Sequence, residues 1–233
     1  MTKICVLCGG VGAARFLRGL LRTVDPGDIT AVVNTADDMR LHGLAISPDL
    51  DTCTYTLAEV INPESGWGLV GETWQAKETL DLYGGQTWFG LGDRDLGTHL
   101  YRTQRLDEGA TLAQVTDEII KAWGLELKIV PMSNDPVRTQ VTIASGETID
   151  FQRYFVERQH VDVVSRVDFV GADNASPAPG VIEAIAEADC LVIAPSNPFV
   201  SIDPILSVPG IRQAVLERRT RNVAISPIVG GGA

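Results

Sequence analysis

The chain is poor in basic residues, and no apolar run in it is long enough to span a bilayer. Of its 233 residues, 19 are lysine or arginine and 30 are aspartate or glutamate, so its formal net charge is −11. Such a surface repels nucleic acid and anionic lipid, because binding to them depends on basic residues. No secretory signal of the usual form opens the sequence. We therefore expect a cytoplasmic protein with neither nucleic-acid nor membrane partners.

Cysteine is also scarce, with four in the whole chain. Cys5 and Cys8 form a C-x-x-C pair, the spacing of some redox and zinc sites. Residues three apart on a strand point to opposite faces, so these two sulfurs cannot meet in the predicted strand. No second cysteine pair or histidine cluster completes a zinc set. We expect both to be small core residues.

Alternating strand and helix patterns predict an α/β fold. An apolar run over 3–8, a glycine turn, a helical apolar period over 13–21 and a second apolar run over 29–34 open a βαβ unit. The alternation returns with predicted strands over 190–194 and 222–228. These patterns predict a Rossmann-like, mostly parallel sheet with helices on both faces.

Residues 1–233 are expected to form a single domain with a less regular insert at about 62–160, a smaller helical and hairpin region. An α/β domain rarely stops on a glycine turn directly after a strand, so we expect the natural protein to continue beyond Ala233. Within the insert, the patterns predict a helix over 72–83, a strand over 88–91, a helix over 111–123 and a hairpin around 145–147.

A glycine-rich turn, Gly9-Gly10-Val11-Gly12, joins the first strand to the first helix. Backbone amides and the helix dipole at such a junction bind phosphate. The dinucleotide fingerprint would need a third glycine where Arg15 stands, and the Walker lysine is absent. Phosphate binding by Gly9, Gly10 and Gly12 is one interpretation, and a tight turn that needs glycine for its geometry is the other.

Aspartates follow the second predicted strand and open the next helix. Asp37 and Asp38 belong to the first group, and Asp49 and Asp51 to the second. Ligands of open parallel sheets bind beyond the carboxyl ends of the strands, and clustered carboxylates repel one another unless a cation or protons intervene. We expect Asp37 and Asp49 to bind Mg²⁺, whereas Asp51 fits the acidic first turn of a helix capped by Ser47.

Several of these motifs, taken in order, resemble the CofD/FbiA family of 2-phospho-L-lactate transferases of coenzyme F-420 biosynthesis. They are the glycine turn, Asn34-Thr35-Ala36-Asp37-Asp38, segments 47–52 and 88–95, and Ser196-Asn197-Pro198, and the likeness covers essentially the whole chain. It implies Mg²⁺-dependent transfer of a phosphoenolpyruvyl or 2-phospho-L-lactyl group from a guanosine diphosphate-linked donor. The acceptor would be the ribityl hydroxyl of 7,8-didemethyl-8-hydroxy-5-deazariboflavin, and GMP would leave. A homodimer is expected.

The resemblance also implies roles for individual residues. Asp37 and Asp49 would hold the metal, supported by Asp38 and Asp51, and Asp37 or Asp38 could accept the hydroxyl proton. The expected substrate-binding residues are Gly9, Gly10, Gly12 and Ala13 at the diphosphate, Ser196, Asn197 and Pro198 at the guanosine, and Thr35, Trp88, Asp93, Arg94 and Asn134 elsewhere in the pocket.

Two alternatives stay open. An NAD(P)-dependent oxidoreductase could use the same glycine turn; it is favoured by the acidic residues after the second strand and disfavoured by Arg15. A catalytically silent nucleotide- or deazaflavin-binding protein would bind GDP and form no product. The acid-rich turns favour chemistry, because uncompensated carboxylates are costly.

Overall fold

The computed structural model of the protein describes residues 2–228 and 230. The strands are β1 (Ile4–Cys8), β2 (Ile29–Val33), β3 (Met39–Leu41), β4 (Leu44–Ile46), β5 (Lys128–Pro131), β6 (Arg138–Ile143), β7 (Thr148–Asp150), β8 (Val164–Val170), β9 (Cys190–Ile193) and β10 (Asn222–Ala224). The α-helices are α1 (Gly10–Leu20), α2 (Pro48–Leu57), α3 (Gln75–Leu82), α4 (Asp95–Asp107), α5 (Leu112–Ala122), α6 (Val181–Glu187), α7 (Asp203–Ser207) and α8 (Ile211–Glu217).

The central sheet is parallel throughout the described residues, in the order β10-β9-β1-β2-β5. From β1 the chain moves through β2 to β5 on one side and later through β9 to β10 on the other. This reversal makes the space beyond the carboxyl ends of β1 and β9 a topological switch point, where open α/β sheets bind ligands. The predicted Rossmann-like fold is confirmed.

Helices cover both faces of this sheet. One apolar core joins the sheet to α1, α2 and α5 and includes Cys8 and Leu50. The other joins it to α6, α7 and α8 and includes Cys5 and Ile205. Cys5 and Cys8 are both buried and belong to different cores. The prediction that their sulfurs face opposite sides of the sheet is therefore confirmed.

Smaller antiparallel elements lie outside the central sheet: the hairpin β3–β4 and a sheet of order β7-β6-β8. The predicted helix over 111–123 is confirmed, and Thr111 and Gln114 form a capping box at its start. The predicted strand over 88–91 is wrong. Its backbone makes no strand pairing, and a side chain at Gly90 would crowd the Trp67 ring at 3.1 Å.

β10 ends at Ala224, earlier than the strand predicted over 222–228, and Val229 and 231–233 of the predicted glycine turn lie outside the described residues. Within the described part of the chain, no single helix is both long and apolar enough to cross a membrane. Residues 198–207 and α8, bent by 96° relative to each other, satisfy that criterion only as a pair and only by length and composition.

Candidate active site

The glycine turn brings three segments of the chain together. Helix α1 begins at Gly10, so Gly10 and Gly12 belong to its first turn instead of preceding it as predicted. Gly10 has a φ of +72°, a conformation that favours glycine. A Cβ at Gly9 would lie 2.5 Å from Asp49 Oδ2 and 3.1 Å from Ser201 Cβ. The absent side chain thus lets α2 and the turn after β9 approach β1.

Ser196 fastens the turn after β9 to the turn after β1. Its hydroxyl donates to the Gly9 carbonyl over 2.8 Å and accepts from the Gly9 amide over 3.2 Å. A Cβ at Gly12 would come within 2.4 Å of the Pro195 carbonyl oxygen. These contacts support the geometric interpretation of the glycines, and phosphate binding there stays a prediction.

Replacement of Gly12 by alanine should destabilise the protein, because the new methyl group would force the Pro195 backbone away from α1. Gly19→Ala, in the same helix, is a matched control, since a Cβ there meets no atom of the described residues within 4 Å. It should stabilise the protein by up to about 1 kcal/mol through helix propensity. Urea denaturation of both variants measures the difference, and equal stabilities would contradict the close approach.

The predicted metal pair, Asp37 and Asp49, lies at this edge of the sheet, and Asn34 at the end of β2 links the two segments. Asn34 Nδ2 donates to Asp49 Oδ2 over 3.0 Å, and its Oδ1 accepts from the Ala36 amide over 2.9 Å. Both aspartates are buried, with 6% and 7% of their surface exposed. The loop after β2 and the start of α2 therefore present their carboxylates to one small region.

Burial and mutual repulsion govern the protonation of these acids. Burial, followed by the charges of Asp49 and Asp38, raises the pKa of Asp37 well above its usual value. Burial raises the pKa of Asp49 to about 6, although hydrogen bonds from Asn34 and Gly10 act in the opposite direction. Burial raises the pKa of Asp38 to about 7. A bound cation would relieve this repulsion and favour the ionised forms.

Buried oxygens without hydrogen-bond partners also favour the interpretation that a cation binds here. Within the part of the chain that the structure describes, the buried Oδ1 atom of Asp38 and the buried Oγ1 atom of Thr35 have no hydrogen-bond partner. Buried oxygens without partners call for an ion, water or ligand. Among the described residues, no three Asp, Glu, His or Cys side chains are grouped so that they could hold a metal by themselves. Two carboxylates completed by substrate oxygens and water are a ligand set that Mg²⁺ accepts, and Mg²⁺ binding by Asp37 and Asp49 stays a prediction.

Asp38 borders a cleft of about 130 Å³ at the ends of β2 and β5, together with Thr35, Asn134 and Arg138. Ser47 corrects one prediction: it stands at the N-cap of α2, but its side chain makes no capping bond. Its hydroxyl instead donates to Asp38 Oδ2 over 2.7 Å, because that carboxylate lies within reach. Asn134 Oδ1 accepts from the Ala113 amide over 2.9 Å and so supports the start of α5.

Asp51 belongs to a buried polar network that the sequence patterns did not reveal. Arg102 of α4 donates to both of its carboxylate oxygens, and His99 Nδ1 lies 3.8 Å from Asp51 Oδ2. His99 Nε2 lies 3.2 Å from Asp95 Oδ2, and Tyr55 donates to Asp95 Oδ1 over 2.7 Å. One sequence signal could have indicated this network: the spacing places Asp95, His99 and Arg102 on one face of a helix.

Three residues predicted to bind substrate have local structural contacts. Asp93 accepts from the Gln75 and Ala76 amides over 3.1 and 3.0 Å, at the start of α3. Arg94 donates to the Val70 carbonyl, and Trp88 is half-buried with its ring edge-on to Phe89. In the part of the chain that the structure describes, the hydrogen bonds of Asp93 and Arg94 stay within the insert and do not reach Asp37 or Asp49. Their proposed part in substrate binding stays a prediction.

The remaining predicted residues flank the aspartates or support the backbone. Ala13 is completely buried in the core, so its side chain cannot face a ligand. Asn197 Oδ1 accepts from the Phe199 amide over 3.0 Å in the turn that Pro198 begins. Gln152, missed by sequence reasoning, donates to the Asp37 carbonyl over 3.3 Å and connects the antiparallel sheet to the site.

The fold and this edge of the sheet define an α/β enzyme with an acidic site at a topological switch point. The sequence model of the family described as "2-phospho-L-lactate transferase CofD" matches residues 4–233. The chain belongs to this family of transferases, which confirms the resemblance stated from the motifs.

Individual relatives agree with this assignment. A "Phosphoenolpyruvate transferase" of Kitasatospora aureofaciens is 50% identical over 98% of this chain and 73% of its own length. A protein of the same name from Streptomyces avermitilis is 51% identical, with the same coverage. The crystal structure of the Bacillus halodurans protein BH3568 has a similar fold, with a TM-score of 0.66, 24% identity and coverage of 96% of this chain and 68% of that one.

Proposed function

We propose that this transferase moves a phosphoenolpyruvyl group, or its 2-phospho-L-lactyl counterpart, from a guanosine diphosphate-linked donor to the ribityl hydroxyl of 7,8-didemethyl-8-hydroxy-5-deazariboflavin. GMP is the leaving group, and the reaction belongs to coenzyme F-420 biosynthesis. Family membership supports the reaction class, and the names of relatives with about half of their residues identical favour the phosphoenolpyruvyl donor.

The observation that carries the proposal is the pair of buried carboxylates beside the glycine turn. Asp37 comes from the loop between β2 and β3 and Asp49 from the first turn of α2, and the charge of Asp49 raises the pKa of Asp37. Attack of an alcohol on a diphosphate requires neutralisation of charge on the transferred and leaving phosphates. A bound Mg²⁺ would supply that neutralisation and align the reacting groups.

The chain's own residues then have distinct tasks. Asn34 holds the Asp49 carboxylate, and Gln152 fastens the Asp37 backbone. Asp38 fits the general base that accepts the hydroxyl proton, because a pKa of about 7 is well matched to neutral pH. Ser47 orients Asp38 by its hydrogen bond to Oδ2, and Oδ1 has no partner among the described residues. Ser196 keeps the turn after β9 at the switch point, beside the proposed guanosine position.

Product analysis tests the proposal. The purified chain is incubated with the deazariboflavin acceptor, Mg²⁺ and, in separate reactions, the phosphoenolpyruvyl, phospholactyl and phosphoglyceryl derivatives of guanosine diphosphate. Mass spectrometry should detect the phosphodiester of the acceptor together with one equivalent of GMP, in highest yield with the phosphoenolpyruvyl donor. GDP binding without any product would instead favour a silent binding protein, and tight binding of NAD(P)H alone an oxidoreductase.

A further inference from the structure

A groove of about 440 Å³ runs along the exposed side of α1. Its walls come from α1, the end of α2 and the tight turn over 60–70. We call it the arginine groove, and its lining side chains used below are Val11, Arg15, Arg18, Glu59, Asn62 and Val70. Its volume lies in the range of about 300–1,000 Å³ that is typical of small-molecule sites, whereas the cleft beside Asp38 is smaller.

The arginine groove begins near Asp49. Its first residue on α1, Val11, directly follows Gly10, and a Cβ at Gly10 would lie 3.9 Å from Asp49 Oδ1. Val11, Arg15 and Arg18 share one stripe of α1, at intervals of four and three residues. Seven residues of helix place Arg18 roughly 10 Å further along the axis than Val11. A molecule of nucleotide size can therefore extend from Asp49 to the arginines.

The charge of the side chains that line the groove indicates which kind of ligand it binds. Arg15 and Arg18 are exposed, and among the described residues neither lies within ion-pair distance of a carboxylate. Glu59 also lines the groove, so its charged side chains sum to one positive charge in a protein of net charge −11. Guanidinium groups bind carboxylates and phosphates through two parallel hydrogen bonds.

Backbone contacts hold the wall opposite α1 in place, which is formed by the turn over 60–70. The Val70 amide donates to the Val60 carbonyl over 2.8 Å, and the Asn62 amide donates to the Gly68 carbonyl over 3.0 Å. Arg94 adds a hydrogen bond to the Val70 carbonyl. A Cβ at Gly66 would lie 3.9 Å from Val11, so the turn rests directly on α1. The groove is therefore formed before a ligand arrives, which lowers the cost of ordering on binding.

We propose that Arg15 and Arg18 in this groove bind an anionic oxygen group of the donor, either a phosphate of its guanosine diphosphate or the carboxylate of its transferred group. The inference rests on the proposed function for the identity of the donor. It extends the ligand site along α1 and makes these two arginines determinants of donor affinity. They touch the substrate away from the bond that breaks, so they act on binding more than on the chemical step.

Calorimetric titration tests the proposal without turnover. GDP and phosphoenolpyruvate are titrated separately into the full chain and into Arg15→Ala, Arg18→Ala and Arg22→Ala. Arg22 is the matched control because it is an exposed arginine in the turn just after α1 and does not line the groove. Loss of a charge-assisted hydrogen bond should weaken binding by roughly tenfold or more at Arg15 and Arg18. Arg22→Ala should bind as the wild type does.

The pattern of losses identifies the anionic group. Weaker binding of GDP in the Arg15 and Arg18 variants assigns the groove to a phosphate of the nucleotide. Weaker binding confined to phosphoenolpyruvate assigns it to the transferred group. Unchanged affinity for both ligands would overturn the proposal, and so would an equal loss in Arg22→Ala, since that would reflect only the general field of the helix.

Kinetics separate this proposal from the proposed function. If the wild type forms product, the Arg15 and Arg18 variants should raise the KM for the donor roughly tenfold and leave kcat within about twofold. If the wild type shows arginine-dependent binding but forms no product, the proposed transfer reaction is refuted and the proposal that the groove binds an anionic group is still supported. Normal turnover with an unchanged donor KM in both variants would refute the groove alone.

Discussion

Asp37→Asn and Asp49→Asn should each lower turnover by roughly 10³-fold or more, because neutralisation of a phosphoryl transition state is worth several kcal/mol. Either substitution removes one of two buried carboxylates and keeps the shape of the side chain. Initial rates measured with saturating donor, acceptor and Mg²⁺ give the loss. Asp117→Asn, an exposed aspartate paired with Lys121 on α5, is the control and should keep full activity.

The same two variants should fold at least as well as the wild type, so the loss cannot be ascribed to unfolding. The pKa of Asp49 is about 6 in the folded chain, against a usual 3.8. A carboxyl whose pKa is higher in the folded than in the unfolded chain lowers the free energy of unfolding as pH rises from the unfolded to the folded pKa. That loss of stability remains at higher pH. At pH 8 without metal, Asp49→Asn should therefore raise the free energy of unfolding by up to about 3 kcal/mol relative to the wild type. A large fall in its unfolding midpoint would contradict this account.

The largest effect on stability is expected at Arg102. Its guanidinium is 2% exposed and donates to both carboxylate oxygens of Asp51, in contact with His99. Arg102→Met would leave the Asp51 carboxylate buried without its partner, and breaking a buried pair in this way costs about 3–5 kcal/mol. Chemical denaturation monitored by circular dichroism measures the loss.

A control on the same helix and a double variant make the Arg102 prediction specific. Arg105 of α4 pairs with Glu118 at the surface, and Arg105→Met should shift the unfolding midpoint far less. Asp51→Asn combined with Arg102→Met should be more stable than the sum of the single changes predicts, by about 0.5–3 kcal/mol, because the unpaired charge is gone. Strict additivity would show that the two side chains do not depend on each other.

Periodicity and turn residues were enough to predict the elements on which the site is built. The run that ends at Cys8, the glycines after it and the alternation around β9 indicated a parallel sheet, since buried strands and their helices have local patterns. The placement of Asp37 and Asp49 at one edge followed from the rule that ligands bind at the carboxyl ends of parallel strands. Whether these residues bind metal stays a prediction.

Contacts between distant segments could not be predicted from local pattern. Ser47 has the sequence context of a helix cap, yet it donates to Asp38, because the hairpin β3–β4 folds back between them. Arg102 and Asp51 are 51 residues apart, and no local periodicity encodes their pairing. The walls of the arginine groove likewise meet only through the tertiary packing of α1 against the turn over 60–70.

Calorimetric titration of Mg²⁺ into the GDP-bound protein tests the paired carboxylates most directly. At pH 8 the wild type and Asp117→Asn should bind one ion per chain, and Asp37→Asn and Asp49→Asn should lose at least about tenfold in affinity. The wild-type affinity should fall as pH is lowered through 6, since protons compete for Asp49, whose pKa is about 6. Equal Mg²⁺ affinity in the wild type and both aspartate variants would contradict the account.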